Sequence, residues 1–152
     1  MKNYSRKISI GLSIITLLVT FGIMAKDVAN TKYYEMDPKK AIAECTDFEN
    51  AKFSFERARY APDGELQLRD IKYSFLCGVQ QAGTLEANNE LAQIFIVDKN
   101  FGEAKIIFEH QTEGKFYCFD MLEGENFCIL EGGIYNIYVI GKYFSGKLSF
   151  TF

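Results

Sequence analysis

The 152-residue sequence contains no tryptophan, two prolines and one histidine, His110. A serine or cysteine hydrolase needs an imidazole base oriented by a carboxylate. His110 ends an apolar run beside Gln111 and is expected to be a solvated side chain. No Gly-x-Ser-x-Gly, no glycine-rich phosphate loop and no Cys-x-x-Cys occurs, so the motifs of α/β-hydrolase, nucleotide and zinc or thiol-redox chemistry are missing. No acidic pair stands out for glycoside hydrolysis. Asp98-Lys99-Asn100-Phe101-Gly102-Glu103 spaces oxygens like the start of a calcium loop, but it lacks the fifth-position ligand and the distal Glu. It reads as a hairpin turn. No catalytic residue, cofactor or metal site is assigned.

Acidic residues are absent from the start of the chain and outnumber basic ones after it. Lys2, Arg6 and Lys7 precede a run from Ile8 to Ala25 without a charged residue. A positively charged start followed by an apolar stretch is the pattern of an export signal. As a helix that run would reach about 27 Å at roughly 1.5 Å per residue, between an ordinary signal core and a spanning helix. Residues 1–25 are therefore read as a signal peptide or a single-pass anchor that delivers the rest of the chain outside the cytoplasm. Removing them takes away three basic residues and no acid, leaving a net charge of −6. Scattered acidity of that kind disfavours nucleic acid and anionic lipid as partners. The expected partner is an envelope protein or a glycan, with membrane contact only through the N-terminal segment.

Residues 26–44 are read as a tether with one short helix, since Asp37-Pro38 is a strong helix start: Asp as N-cap, Pro at the first helical position. Residues 45–152 carry the strand signals. Fourteen Phe and nine Tyr suit pleated, half-buried surfaces, and alternation is clear in Phe53–Phe55, Tyr135–Val139 and Leu148–Phe152. Turns are expected at Ala61–Gly64, Asp98–Gly102, Thr112–Gly114, Leu122–Asn126, Glu131–Gly133 and Ser145–Gly146. A change of phase near Arg69-Asp70 is expected to mark a β-bulge. The sum is an all-β antiparallel β-sandwich, jelly-roll or immunoglobulin-like, of about eight short strands.

An even number of cysteines in an exported chain points to disulfides. Cys118 and Cys128 flank a turn, which predicts a cross-strand bond, and elimination pairs Cys45 with Cys77. The second bond would close a loop of about 32 residues. Gly78–Glu90, the longest polar gap, is read as a loop, and Gln80, Gln81, Thr84, Glu86, Asn88 and Asn89 are the candidate binding residues. Tyrosines, among them Tyr33, Tyr34, Tyr117, Tyr138 and Tyr143, are candidates for a recognition surface, having one apolar and one wet end.

Phe144, Leu148, Phe150 and Phe152 share one phase at the chain's end. That ending resembles the last strand of outer-membrane β-barrel proteins, which implies a membrane barrel. Membrane strands need about 9–11 residues, and the run Phe127–Leu130 is too short for one. The sequence as a whole reads as an exported, non-catalytic binding module of the cell envelope. A small hydrolase with paired carboxylates, or a structural envelope protein, is the alternative.

Overall fold

The computed structural model describes residues 16–22, 24–45, 53–60, 66–87 and 93–151; for 53–60, 66–68 and 151 the backbone alone is considered. Contacts divide the chain into two units, Met1–Asn30 and Thr31–Phe152. In the first, residues 16–22 and 24–30 are helical (α1) and expose Leu17, Leu18, Phe21 and Met24. Among the described residues no helix is long and apolar enough to cross a membrane. The stretch up to Ile15 lies outside the described residues.

The second unit is a mostly antiparallel β-sheet with two short helices on it. The strands are β1 (Phe53–Tyr60), β2 (Leu66–Ala87), β3 (Gln93–His110), β4 (Phe116–Asp120), β5 (Gly124–Cys128) and β6 (Gly133–Thr151). They join in one sheet of order β1-β2-β6-β3-β4, with β5 also on β3. Every pairing is antiparallel.

Three of these strands are far longer than the sequence predicts, and the reason is the same in each. The expected reversals at Asp98–Gly102 and Ser145–Gly146 are bulges inside β3 and β6, where the ladder slips and continues. The bulge expected near Arg69-Asp70 has a counterpart at Leu66–Leu68, and further slips follow it. On its β1 side β2 slips close by, Arg59 and Tyr60 pairing with Leu68 and Leu66, and against β6 it slips between Tyr73 and Leu76, Leu76 and Gly78, and Gln81 and Gly83. The slips along β6 adjoin one another: Gly146 lies opposite both Tyr73 and Lys99, and Ser145 opposite Phe101. Turn-forming residues here bend three neighbouring strands at a common corner instead of reversing each one, which is what bulges do to a sheet.

Alternation sends successive residues to opposite faces of a strand, and both faces are covered. Ile106, Phe108, Ile137, Val139, Phe95, Phe144 and Leu148 belong to the larger core on one face. Ile107, Tyr138, Ile140 and Val79 point the other way and pack against Tyr33, Ala41 and Cys45. The segment expected to be a tether therefore carries two helices, α2 (Lys32–Glu35) and α3 (Pro38–Glu44), laid on the sheet. Asp37 is the N-cap of α3, its side chain accepting from Lys40 N at 3.2 Å, with Pro38 in the first turn. The helices are fastened at the side by Lys105 Nζ donating to Tyr34 O (2.9 Å) and by the Lys142–Glu35 ion pair (3.1 Å).

Candidate functional site

The expected binding loop is a strand. Gln80, Gln81, Thr84 and Glu86 stand in β2, paired opposite Val139, Tyr138, Asn136 and Ile134 of β6. Asn88 and Asn89 lie outside the described residues. Ala82, Leu85 and Ala87 turn into the core between them, and small residues with a bulge at Gln81/Gly83 hide that alternation in the sequence. The pairing of β1 with β2 ends at Ser74. Beyond it the outer edge of β2 pairs with no other strand among the described residues, and Gln81, Thr84 and Glu86 are exposed there.

No disulfide joins the four cysteines. The turn at Leu122–Asn126 does not fold its flanking strands against each other: β4 pairs Cys118 with Ile107, and β5 pairs Cys128 with Gln93, both on β3. Cys118 is exposed and Cys128 buried, so the two are not the cross-strand neighbours expected. Cys45 and Cys77 are both buried, and the Cys45 thiol donates to Val79 O at 4.0 Å.

His110 is buried, 5% exposed, where a solvated ring was expected. Its Nδ1 accepts from the backbone N–H of Glu113 (3.2 Å) and Thr112 (3.4 Å), which places the proton on Nε2, 3.5 Å from Gly132 O. The ring stands edge-on to Tyr135 with centroids 4.9 Å apart. This histidine ties the β3–β4 turn to the start of β6, and among the described residues no carboxylate hydrogen-bonds to it. Among the described residues, no group of three or more His, Cys, Asp or Glu is placed to hold a metal. That includes Asp98 and Glu103.

The feature that sequence reasoning missed lies at the bulged corner. Phe75 and Tyr143 adopt φ of 62° and 57°, in the left-handed region that bulky side chains avoid at a cost of about 1–2 kcal/mol each. Both occur where β2 and β6 slip, and the Phe75 N–H donates to Ser145 Oγ at 2.8 Å. The result brings three rings from three strands together. Phe75 meets Phe101 edge-on at 5.7 Å and Tyr143 at 5.6 Å. Yet Phe75 and Phe101 remain 41% and 48% exposed. An aromatic cluster held in strained backbone and left open to water is unusual for a purely structural corner, because the strain is not offset by full burial. Gly102 lets it form: at φ 79°, a Cβ there would strike the Tyr143 carbonyl and reach 2.8 Å from Phe144 Cα. The only sequence signal was the cluster of turn-forming residues at Asp98–Gly102 and Ser145–Gly146.

No known family model and no curated protein matches the sequence. Solved structures with a similar chain path include an oxalate oxidase in complex with the substrate analogue glycolate (11% identity, TM-score 0.40), matched over 73% of this chain and 57% of that one. The chain thus spans little more than half the length of that oxidase. The Drosophila melanogaster CENP-C cupin domain is 12% identical with a TM-score of 0.35, over 76% of this chain and 96% of that one. Peruvianin-I, a cysteine peptidase from Thevetia peruviana latex, is 15% identical with a TM-score of 0.31, over 69% and 62%. These likenesses concern the path of the chain alone, and none of the three activities passes to this protein with them.

Proposed function

We propose that the chain is an exported, non-catalytic binding module of the cell envelope that grips its ligand, an envelope protein or glycan, through the aromatic corner of Phe75, Phe101 and Tyr143. The observation that carries this reading is the positive φ of Phe75 and Tyr143 behind rings that stay exposed. Covering an exposed Phe ring gains about 1.5–3 kcal/mol for full burial, enough to recover the strain when a partner docks. On the same reading the bent sheet closes as a jelly-roll-type sandwich, and residues 1–25 direct export or anchor the chain. Tyrosine and phenylalanine suit such a surface because rigid rings lose little conformational freedom on binding. The acidic remainder of the chain keeps nucleic acid off it.

The test compares the full chain with a Phe75→Ser, Phe101→Ser double variant as baits in an extract of the native envelope. The expected result is a specific partner or glycan retained by the wild type and lost by the variant, while both melt at similar temperatures. Equal retention by the two baits refutes the assignment of the corner. Export is tested separately, by fusing after Phe152 a reporter that is active only outside the cytoplasm; activity that survives deletion of residues 1–25 refutes it.

A further inference from the structure

Beside the corner, and using none of its three rings, a cleft of about 220 Å³ opens between α2, the bulge of β3 and the β4–β5 connection. At about 30 Å³ per liquid water, it has room for one small molecule and not for a polymer. Tyr34, Lys99, Glu103 and Asp120 give it polar walls, and Ala104, Met121 and Leu122 apolar ones. Each wall is held by a hydrogen bond to its backbone: Met121 N–H donates to Ala104 O (2.9 Å), Lys99 N–H donates to the Glu123 carboxylate Oε2 (2.6 Å), and Lys105 Nζ donates to Tyr34 O (2.9 Å).

The charges of this cleft are arranged in an informative way. Lys99 and Asp120 line the same space, yet among the described residues neither side chain forms an ion pair, with the other or with any third group. Opposite charges that share a cleft without closing on each other leave a gap that a ligand with both charges can bridge. Glu103 lies 3.9 Å from Lys142, which also pairs with Glu35. The Tyr34 hydroxyl is held above its usual range by burial first, then by Glu103, Asp120 and Glu35. The Tyr34 ring already carries Lys105 at 4.3 Å and Lys142 at 5.6 Å, so a ligand ammonium belongs at the carboxylates and not over the ring.

We propose that this cleft binds a free α-amino acid, with its ammonium on Asp120 and Glu103, its carboxylate on Lys99, and an aliphatic side chain against exposed Leu122, over the buried Ala104 and Met121. Charge-assisted hydrogen bonds to both ends supply selectivity over molecules with one charge.

The test titrates the full chain with L-leucine, isoamylamine and 4-methylpentanoate, following backbone amide resonances. These probes carry both charges, the ammonium alone and the carboxylate alone on a similar aliphatic body. The expected result is saturable binding of leucine at least about tenfold tighter than either single-charge probe, with shifts at Ala104 and Met121. Asp120→Asn and Lys99→Met each weaken leucine about tenfold and leave the remaining amide spectrum unchanged, since both side chains are exposed. Lys99→Met leaves isoamylamine binding as it was, which a general loss of structure would not. Absence of saturable binding up to about 10 mM leucine, or amine and amino acid binding equally, overturns the proposal. So does wild-type affinity for leucine in both variants. None of these outcomes bears on the aromatic corner.

Discussion

Replacing Gly102 by Ala tests how the corner is built. At φ 79° an alanine meets two penalties. The left-handed conformation costs a residue with a Cβ about 1–2 kcal/mol. Separately, the new methyl would overlap the carbonyl of Tyr143 and approach Phe144 Cα at 2.8 Å; both are backbone atoms of the neighbouring strand, which cannot rotate away as a side-chain tip can. Overpacking of that kind adds roughly 1–3 kcal/mol, so the sum is about 2–5 kcal/mol against a total stability of about 5–15 kcal/mol. Gly114 is the control. It sits at φ 62° in the β3–β4 turn with nothing within 4 Å of its would-be Cβ, so Gly114→Ala carries the conformational penalty alone, about 1–2 kcal/mol. Thermal denaturation of the two variants separates the terms. For a chain of this size Gly102→Ala should lower Tm by roughly 5–15 °C and Gly114→Ala by about 2–6 °C. Equal losses in the two would mean that β3 and β6 do not press together at the bulge, and the account of the corner would fail.

Three further expectations rest on other parts of the chain. Truncating buried His110 to Ala removes the acceptor shared by the Thr112 and Glu113 N–H groups and the ring against Tyr135; a loss of about 2–4 kcal/mol in urea denaturation is expected, and a loss under 0.5 kcal/mol would show that the β3–β4 turn holds without it. Burial pushes Tyr138 up to about 12, with Glu109 beside it adding to the shift, and likewise Tyr135. The unfolded chain then releases these protons first, so their contribution is complete below pH 10 and declines as pH rises toward 12. Tyr138→Phe should flatten that decline, and an unchanged slope contradicts the assignment. Thiol counting addresses the cysteines. The native chain should react first at exposed Cys118, more slowly than a free thiol because partial burial pushes that thiol's pKa up, while buried Cys45, Cys77 and Cys128 react only on unfolding. A protein with no thiol to alkylate even when denatured would restore the disulfide reading.

The sequence showed the β class and the ends of elements where one residue decides the geometry. Asp37-Pro38 started a helix, and Thr112–Gly114 turned β3 into β4. It misplaced the interior of the long strands, for a physical reason. Gly102, Ser145 and Gly146 are the residues a reversal needs, and a bulge needs the same freedom, so local chemistry cannot separate bending from turning. Gly78–Ala87 looked like a loop because its inward residues are Ala82, Leu85 and Ala87, too small and too irregularly spaced across a bulge to show a period of two. Tyr33 and Tyr34 looked like part of a tether because the surface that buries them, Ile107, Tyr138 and Ile140, lies more than seventy residues away. The aromatic corner was invisible for the same reason: Phe75, Phe101 and Tyr143 meet only through the alignment of three slipped ladders.

The most direct measurement of the central claim is photo-crosslinking in the native cell, with a benzophenone side chain placed at Phe101 in one strain and at exposed Gln111, in the β3–β4 turn, in another. The account predicts a discrete crosslinked partner or glycan conjugate from position 101 and none from position 111. A chain that crosslinks at neither position, or equally at both, would contradict the claim that the aromatic corner is where this protein binds.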